Sequence, residues 1–93
     1  MSKRRKRLER IRQNPNNVLL DELRRVLEDY GFKYKQTVGS HYTFSYRLGG
    51  QTRLFVVPFR RPVKPIYIRQ AIKLIDAILA EQGEDDSDDS PDE

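Results

Sequence analysis

The sequence predicts an α+β fold of order α-β-β-β-α, in which a three-stranded antiparallel sheet carries two helices on one face. Three features support this. Apolar residues recur at helical spacing in two segments, they recur at period two in the runs between those segments, and short glycine turns separate the runs.

The first helix is expected from about Val18 to Tyr30. Leu20, Leu23, Val26, Leu27 and Tyr30 draw one stripe on a helical surface. Asp21 and Glu22 fall in its first turn, where the helix dipole favours acids, and Gly31 follows as a C-terminal cap. The pattern then switches to period two. Phe32, Tyr34, Gln36 and Val38 alternate with Lys33, Lys35 and Thr37. After Gly39-Ser40, the residues Tyr42, Phe44 and Tyr46 alternate with His41, Thr43, Ser45 and Arg47. Gly49-Gly50 predicts a tight hairpin, and Thr52 to Pro58 reads as a third strand rich in β-branched and aromatic residues. A stiff basic loop, Pro58 to Lys64, leads to Pro65, which is suited to open a helix. Ile68, Ala71, Ile72, Ile75, Ile78 and Leu79 form the second apolar stripe, closed by Gly83.

Both chain ends differ in composition from this centre. Residues 1–16 read as a basic N-terminal arm, with Leu8 and Ile11 spaced to allow a short helix that Pro15 would end. Residues 17–83 make up the folded domain. Residues 84–93 hold seven acids and no base, and are expected to be a disordered acidic tail. The chain carries +4 overall, which becomes +11 without the tail's acids. A surface so positive attracts polyanions, so nucleic acid is the first partner to consider. The basic arm is suited to non-specific RNA contact. The tail, tethered beside a basic domain, is suited to compete with RNA in cis.

The absence of cysteine excludes disulfides, zinc knuckles and thiol nucleophiles. No apolar run spans a bilayer, and no signal-peptide core follows the basic start, so a cytoplasmic protein without membrane partners is expected.

Strand alternation gives the sharpest inference about chemistry. If Tyr42, Phe44 and Tyr46 face the helices, then His41, Thr43, Ser45 and Arg47 face outward. Phe32 and Tyr34 facing inward turn Lys33 and Lys35 outward as well. The only histidine therefore lies on an open, basic face, which Arg60, Arg61, Lys64 and Arg69 could border. RNA hydrolysis needs a base for the 2′-hydroxyl proton, an acid for the leaving 5′-oxygen, and cations for the phosphorane charge. Imidazole can take either proton-transfer role near neutral pH, and the neighbouring cations can hold phosphate. That route requires no metal or other cofactor. Spacing alone favours an ordinary surface histidine over a functional one. Gly39 fits either a tight turn or close approach of an RNA backbone, and Ser40 suits a turn first, or the orientation of His41 or a phosphate. Lys64 and Arg69 fit a phosphate contact or a solvated face.

Gly39-Ser40-His41-Tyr42-Thr43-Phe44 resembles the Gly-Ser-His-x-x-Phe signature of the HicA family of toxin ribonucleases. The helix ending in Gly31-Phe32, the dipeptide Val57-Pro58, and Pro62-Val63-Lys64-Pro65 through Ile72 are similar to the same family, and the resemblance extends over about residues 15–80. It implies a double-stranded-RNA-binding-domain-like fold. It also implies the toxin component of a type II toxin–antitoxin system, an mRNA interferase acting on single-stranded RNA with His41 as catalytic residue. A HicB-like antitoxin would be the protein partner. One position departs from the pattern. Many members carry a second histidine after Val-Pro, where this chain has Phe59. A mechanism shared between two histidines is therefore unavailable, and slow turnover is expected. The competing expectation is a non-catalytic RNA-binding module of the same fold, in which His41 only contacts phosphate.

Overall fold

The computed structural model describes residues 2–83; the acidic tail at 84–93 lies outside the described residues. Within them the order is α1 (Lys3–Gln13), α2 (Leu20–Asp29), β1 (Lys33–Val38), β2 (His41–Leu48), β3 (Gln51–Pro58) and α3 (Pro65–Glu81). The strands form one antiparallel sheet in the order β1-β2-β3, so the α-β-β-β-α reading holds, with an additional helix before it. No helix among the described residues is long and apolar enough to cross a membrane.

One core lies between the helices and the inner face of the sheet. Phe44 is fully buried at its centre, with Phe32, Phe55, Val57, Leu23, Leu27, Ile68 and Ile75 around it. Phe32 stacks on Tyr46 at 4.9 Å and meets Phe55 edge-on at 6.4 Å. Pro65 occupies the first turn of α3, as its missing N–H allows. Gly49 and Gly50 both have positive φ (64° and 73°), as a two-residue hairpin with the strands' right-handed twist requires. The Gly49 N–H donates to Glu81 Oε1 at 2.6 Å, tying this hairpin to the last turn of α3. At the other end of the sheet, the Val63 N–H donates to the Val18 carbonyl at 2.9 Å and draws the basic loop over the start of α2.

The N-terminal segment, read as an arm, is part of the packed structure. Ser2 caps α1 by accepting from the Arg5 N–H at 3.2 Å. Leu8 and Ile11 are buried against α2 and α3. Arg7 grips Asp29 through two hydrogen bonds of 2.6 and 2.9 Å, and Arg12 grips Asp76 through two of 3.0 Å. Arg10 pairs with Glu22 at 2.7 Å. The hydrogen bonds from Arg12 to Asp76 hold its guanidinium still more firmly protonated than usual. Three of the bases assigned to RNA are thus engaged by acids from α2 and α3. Those partners are 12, 22 and 64 positions away in sequence, beyond the reach of any local pattern. The exposed pairs of Arg10 and Arg12 contribute little, so burial of Leu8 and Ile11, with the part-buried Arg7–Asp29 pair beside it, is the main attachment.

The second departure is in β1. Its register against β2 runs Lys33↔Ser45 and Tyr34↔Phe44, then shifts to Gln36↔Thr43, Thr37↔Tyr42 and Val38↔His41. Lys35 is the extra residue of a β-bulge. Directly opposed residues share a face, so Gln36 and Val38 lie on the open face and do not continue the inward row of Phe32 and Tyr34. Gln36 and Thr37 are both polar and tolerate either face, so the only apolar side chain that the slip exposes is Val38, at the end of the strand.

Leu8→Ala should lower unfolding stability by about 2–5 kcal/mol, the range for emptying a buried leucine site, read as a lower urea midpoint. An unchanged midpoint would mean that α1 is detached in solution.

Candidate nucleic-acid interface

Burial of Phe44 and Tyr46 turns the alternate residues of β2 to the other face, and His41 stands there at the first position of the strand. Its opposed neighbours are Val38 on β1 and Pro58 on β3. The imidazole is exposed and flanked by two apolar residues, and it has no hydrogen bond or ion pair among the described residues. Both ring nitrogens are therefore open to a ligand, and no protein group fixes the tautomer.

Gly39 and Ser40 form the turn that delivers the chain into β2. Gly39 has φ +60°, and an added Cβ would meet nothing within 4 Å. Its role in the turn is thus the left-handed backbone, and the space beside it is open. The Ser40 carbonyl accepts from the Phe59 N–H at 2.6 Å, extending the β2–β3 ladder beyond Pro58. The Ser40 hydroxyl makes no hydrogen bond among the described residues, so it does not orient His41.

The outward cations divide into separate groups. The ladder bond between Phe59 and Ser40 fixes the chain beside the His41 end of the sheet where Arg60 and Arg61 follow. Lys33 sits opposite Ser45, four residues along β2 from His41 and so roughly 13 Å away. Arg47 is farther still and is engaged in the hairpin, donating to Thr52 Oγ1 at 3.3 Å and the Gly50 carbonyl at 3.1 Å. Lys33, Lys35, Ser45, Arg47 and Thr52 line a separate groove of about 370 Å³, shared with Tyr30 at the end of α2 and Ile78 near the end of α3. Ser45, expected on the open face, is largely covered there. Lys64 and Arg69 are exposed at the start of α3. Lys33, Lys35, Arg60, Arg61, Lys64 and Arg69 make no ion pair among the described residues. In this they differ from the arginines of α1 that are bound to acids, and they remain able to meet phosphate.

A second concavity lies beside the His41 turn on the helix side of the sheet. It encloses about 460 Å³ between Leu19, Leu20, Asp21, Arg24, Tyr42, Phe59 and Arg61. Tyr42, expected in the core with Phe44, is only partly buried, because its β1 partner is the small polar Thr37. Its ring lies 6.3 Å from that of Phe59, which is 41% exposed. Of these residues only Arg61 stands out in sequence, as a cation near His41. A hint is the apolar Phe59 amid arginines, immediately after the strand where helix cover ends.

Among the described residues, no cluster of three or more His, Cys, Asp or Glu side chains is placed to hold a metal ion. Comparison with family models, curated proteins and solved structures finds no match for this chain.

Gly39→Ala should cost about 1–2 kcal/mol, the price of a left-handed conformation for a residue with a Cβ, with no added steric term because the space is empty. Urea unfolding measures it; a loss well above this range would reveal a contact at the turn.

Proposed function

We propose that this chain is a metal-independent endoribonuclease, the toxin component of a HicA-type system, with His41 as catalytic residue and single-stranded mRNA as substrate. The observation that carries the reading is the placement of His41: exposed, and set directly after the Gly39-Ser40 turn at the end of an open sheet face. The order of three strands between α2 and α3 supports a double-stranded-RNA-binding-domain-like fold, with α1 as an addition. The unpaired cations around the sheet support RNA as ligand.

The chemistry follows from what surrounds the imidazole. Neutral His41 accepts the proton of the 2′-hydroxyl. The 2′-oxygen bonds to phosphorus, the bond from phosphorus to the 5′-oxygen breaks, and a proton must reach that oxygen. With Phe59 where a second histidine would stand, His41 returns the proton it took, leaving a 2′,3′-cyclic phosphate and a 5′-hydroxyl. Val38 and Pro58 cannot stabilise the phosphorane charge, so that role goes to the loop after β3, to Arg60. An imidazole with no orienting group, serving two oxygens on opposite sides of phosphorus, implies slow turnover.

The exposed apolar side chains of Val38, Leu54 and Val56 on the same face suit a protein that covers the site, as a HicB-like antitoxin would. A non-catalytic RNA-binding module has one observation in its favour, the absence of any group that fixes the His41 ring.

End-labelled single-stranded RNA incubated with the protein in EDTA should yield cyclic-phosphate ends, and His41→Ala should abolish cleavage while leaving RNA affinity within about twofold. Equal cleavage by both proteins, or none by either, would overturn the nuclease reading and favour the binding module. Replacing Arg60 with alanine should reduce cleavage more than binding, whereas replacing Lys33 and Lys35 should reduce both alike.

A further inference from the structure

The concavity between the start of α2 and the end of the sheet carries chemistry that phosphate binding and hydrolysis do not use. We propose that it is a nucleobase pocket that selects guanine next to the cleaved phosphate; the proposal rests on the ribonuclease reading and names its substrate preference.

Two aromatic rings form the pocket's apolar surface. Tyr42 and Phe59 lie 6.3 Å apart at 48°, an open wedge with Phe59 partly exposed. Guanidinium groups back both sides of this row. Arg61 stands over Phe59 at 5.8 Å, and Arg24 stands over Tyr34 at 4.6 Å, with Tyr34 in turn 6.2 Å from Tyr42. A flat π-system is what such a surface accommodates, since a base stacks on an aromatic face and beside a guanidinium plane.

The polar groups narrow the choice of base. Arg24 already donates to Glu28 at 3.2 Å and serves as wall. Asp21 and Arg61 both line the pocket, yet Asp21 has no hydrogen bond or ion pair among the described residues and Arg61 engages only the Phe59 ring. One carboxylate and one guanidinium are therefore available within a single concavity. Guanine presents two adjacent donors, N1–H and the N2 amine, and two adjacent acceptors, O6 and N7. Asp21 takes the donors and Arg61 the acceptors. Adenine lacks the paired donors, cytosine and uracil lack the N7 acceptor, and each leaves one of the two charged groups unmatched.

The pocket is joined to the hydrolytic site through the backbone. Tyr42 follows His41, and the Phe59 N–H is bonded to the Ser40 carbonyl just before it, so both walls are fixed to the residues that position the imidazole. His41 lies on the open face and the pocket on the helix side. The strand passes between them around the end of the sheet, where Gly39 leaves clear space.

The test is binding of uridine octamers whose central nucleotide is guanosine, adenosine, cytidine or uridine to the His41→Ala protein, so that cleavage plays no part. The guanosine octamer should bind about tenfold more tightly than the other three, as one stacked and hydrogen-bonded base allows. Asp21→Asn, at an exposed helix position, and Phe59→Ala should each remove that preference and leave the uridine octamer's affinity within twofold. Equal affinity for the four octamers, or a guanosine preference that survives both substitutions, overturns the pocket while leaving the nuclease reading standing. Failure to bind any octamer overturns both.

Discussion

Everything at the candidate site depends on the burial of Phe44. It is the one side chain of β2 sealed completely between sheet and helices, with Phe55 and Tyr34 as its cross-strand partners. A strand has two faces and a strict period of two. With Phe44 inside, His41 must emerge on the opposite face and Tyr42 on the helix side. A one-residue slip would place the imidazole against the helices and Phe44 in water. The orientation of the proposed catalytic group is thus settled by core packing, at a distance from any contact the group itself makes.

Much of this was legible in the sequence because it is local. The apolar stripes of α2 and α3, the glycine pair at 49–50 and the alternation along β2 each occupy consecutive residues, and each became the expected element. The site was legible only as far as alternation reaches. It put His41 on the open face, but could not say that Val38 and Pro58 flank it, because the bulge at Lys35 changes the partner. Nor could it see Asp21, Phe59 and Arg61 around one concavity, since these come from a helix start and a loop joined by the Val63–Val18 hydrogen bond.

Charge shows where composition stops short of tertiary structure. The first twelve residues hold seven of the eighteen bases, which points to a nucleic-acid arm. In the fold, Arg7, Arg10 and Arg12 face Asp29, Glu22 and Asp76, and the segment behaves as a third helix of the core. Cations without an acid lie in less conspicuous places, among them Lys33 and Lys35 on β1, Arg60 and Arg61 in the loop after β3, and Lys64 and Arg69 at the beginning of α3. Density of charge along the chain and availability of charge to a ligand are different quantities, separated by tertiary structure.

The bulge at Lys35 also bears on the fate of the sheet's border. β1 is an outer strand, and its outer backbone groups could template a strand from another molecule. The extra residue breaks that template into two short stretches, Lys33–Tyr34 and Gln36–Val38, and adds local twist between them. Lysines at 33 and 35 bring like charge against an identical incoming edge. A small protein with a sheet open on one face is in this way guarded against growing by accretion along β1.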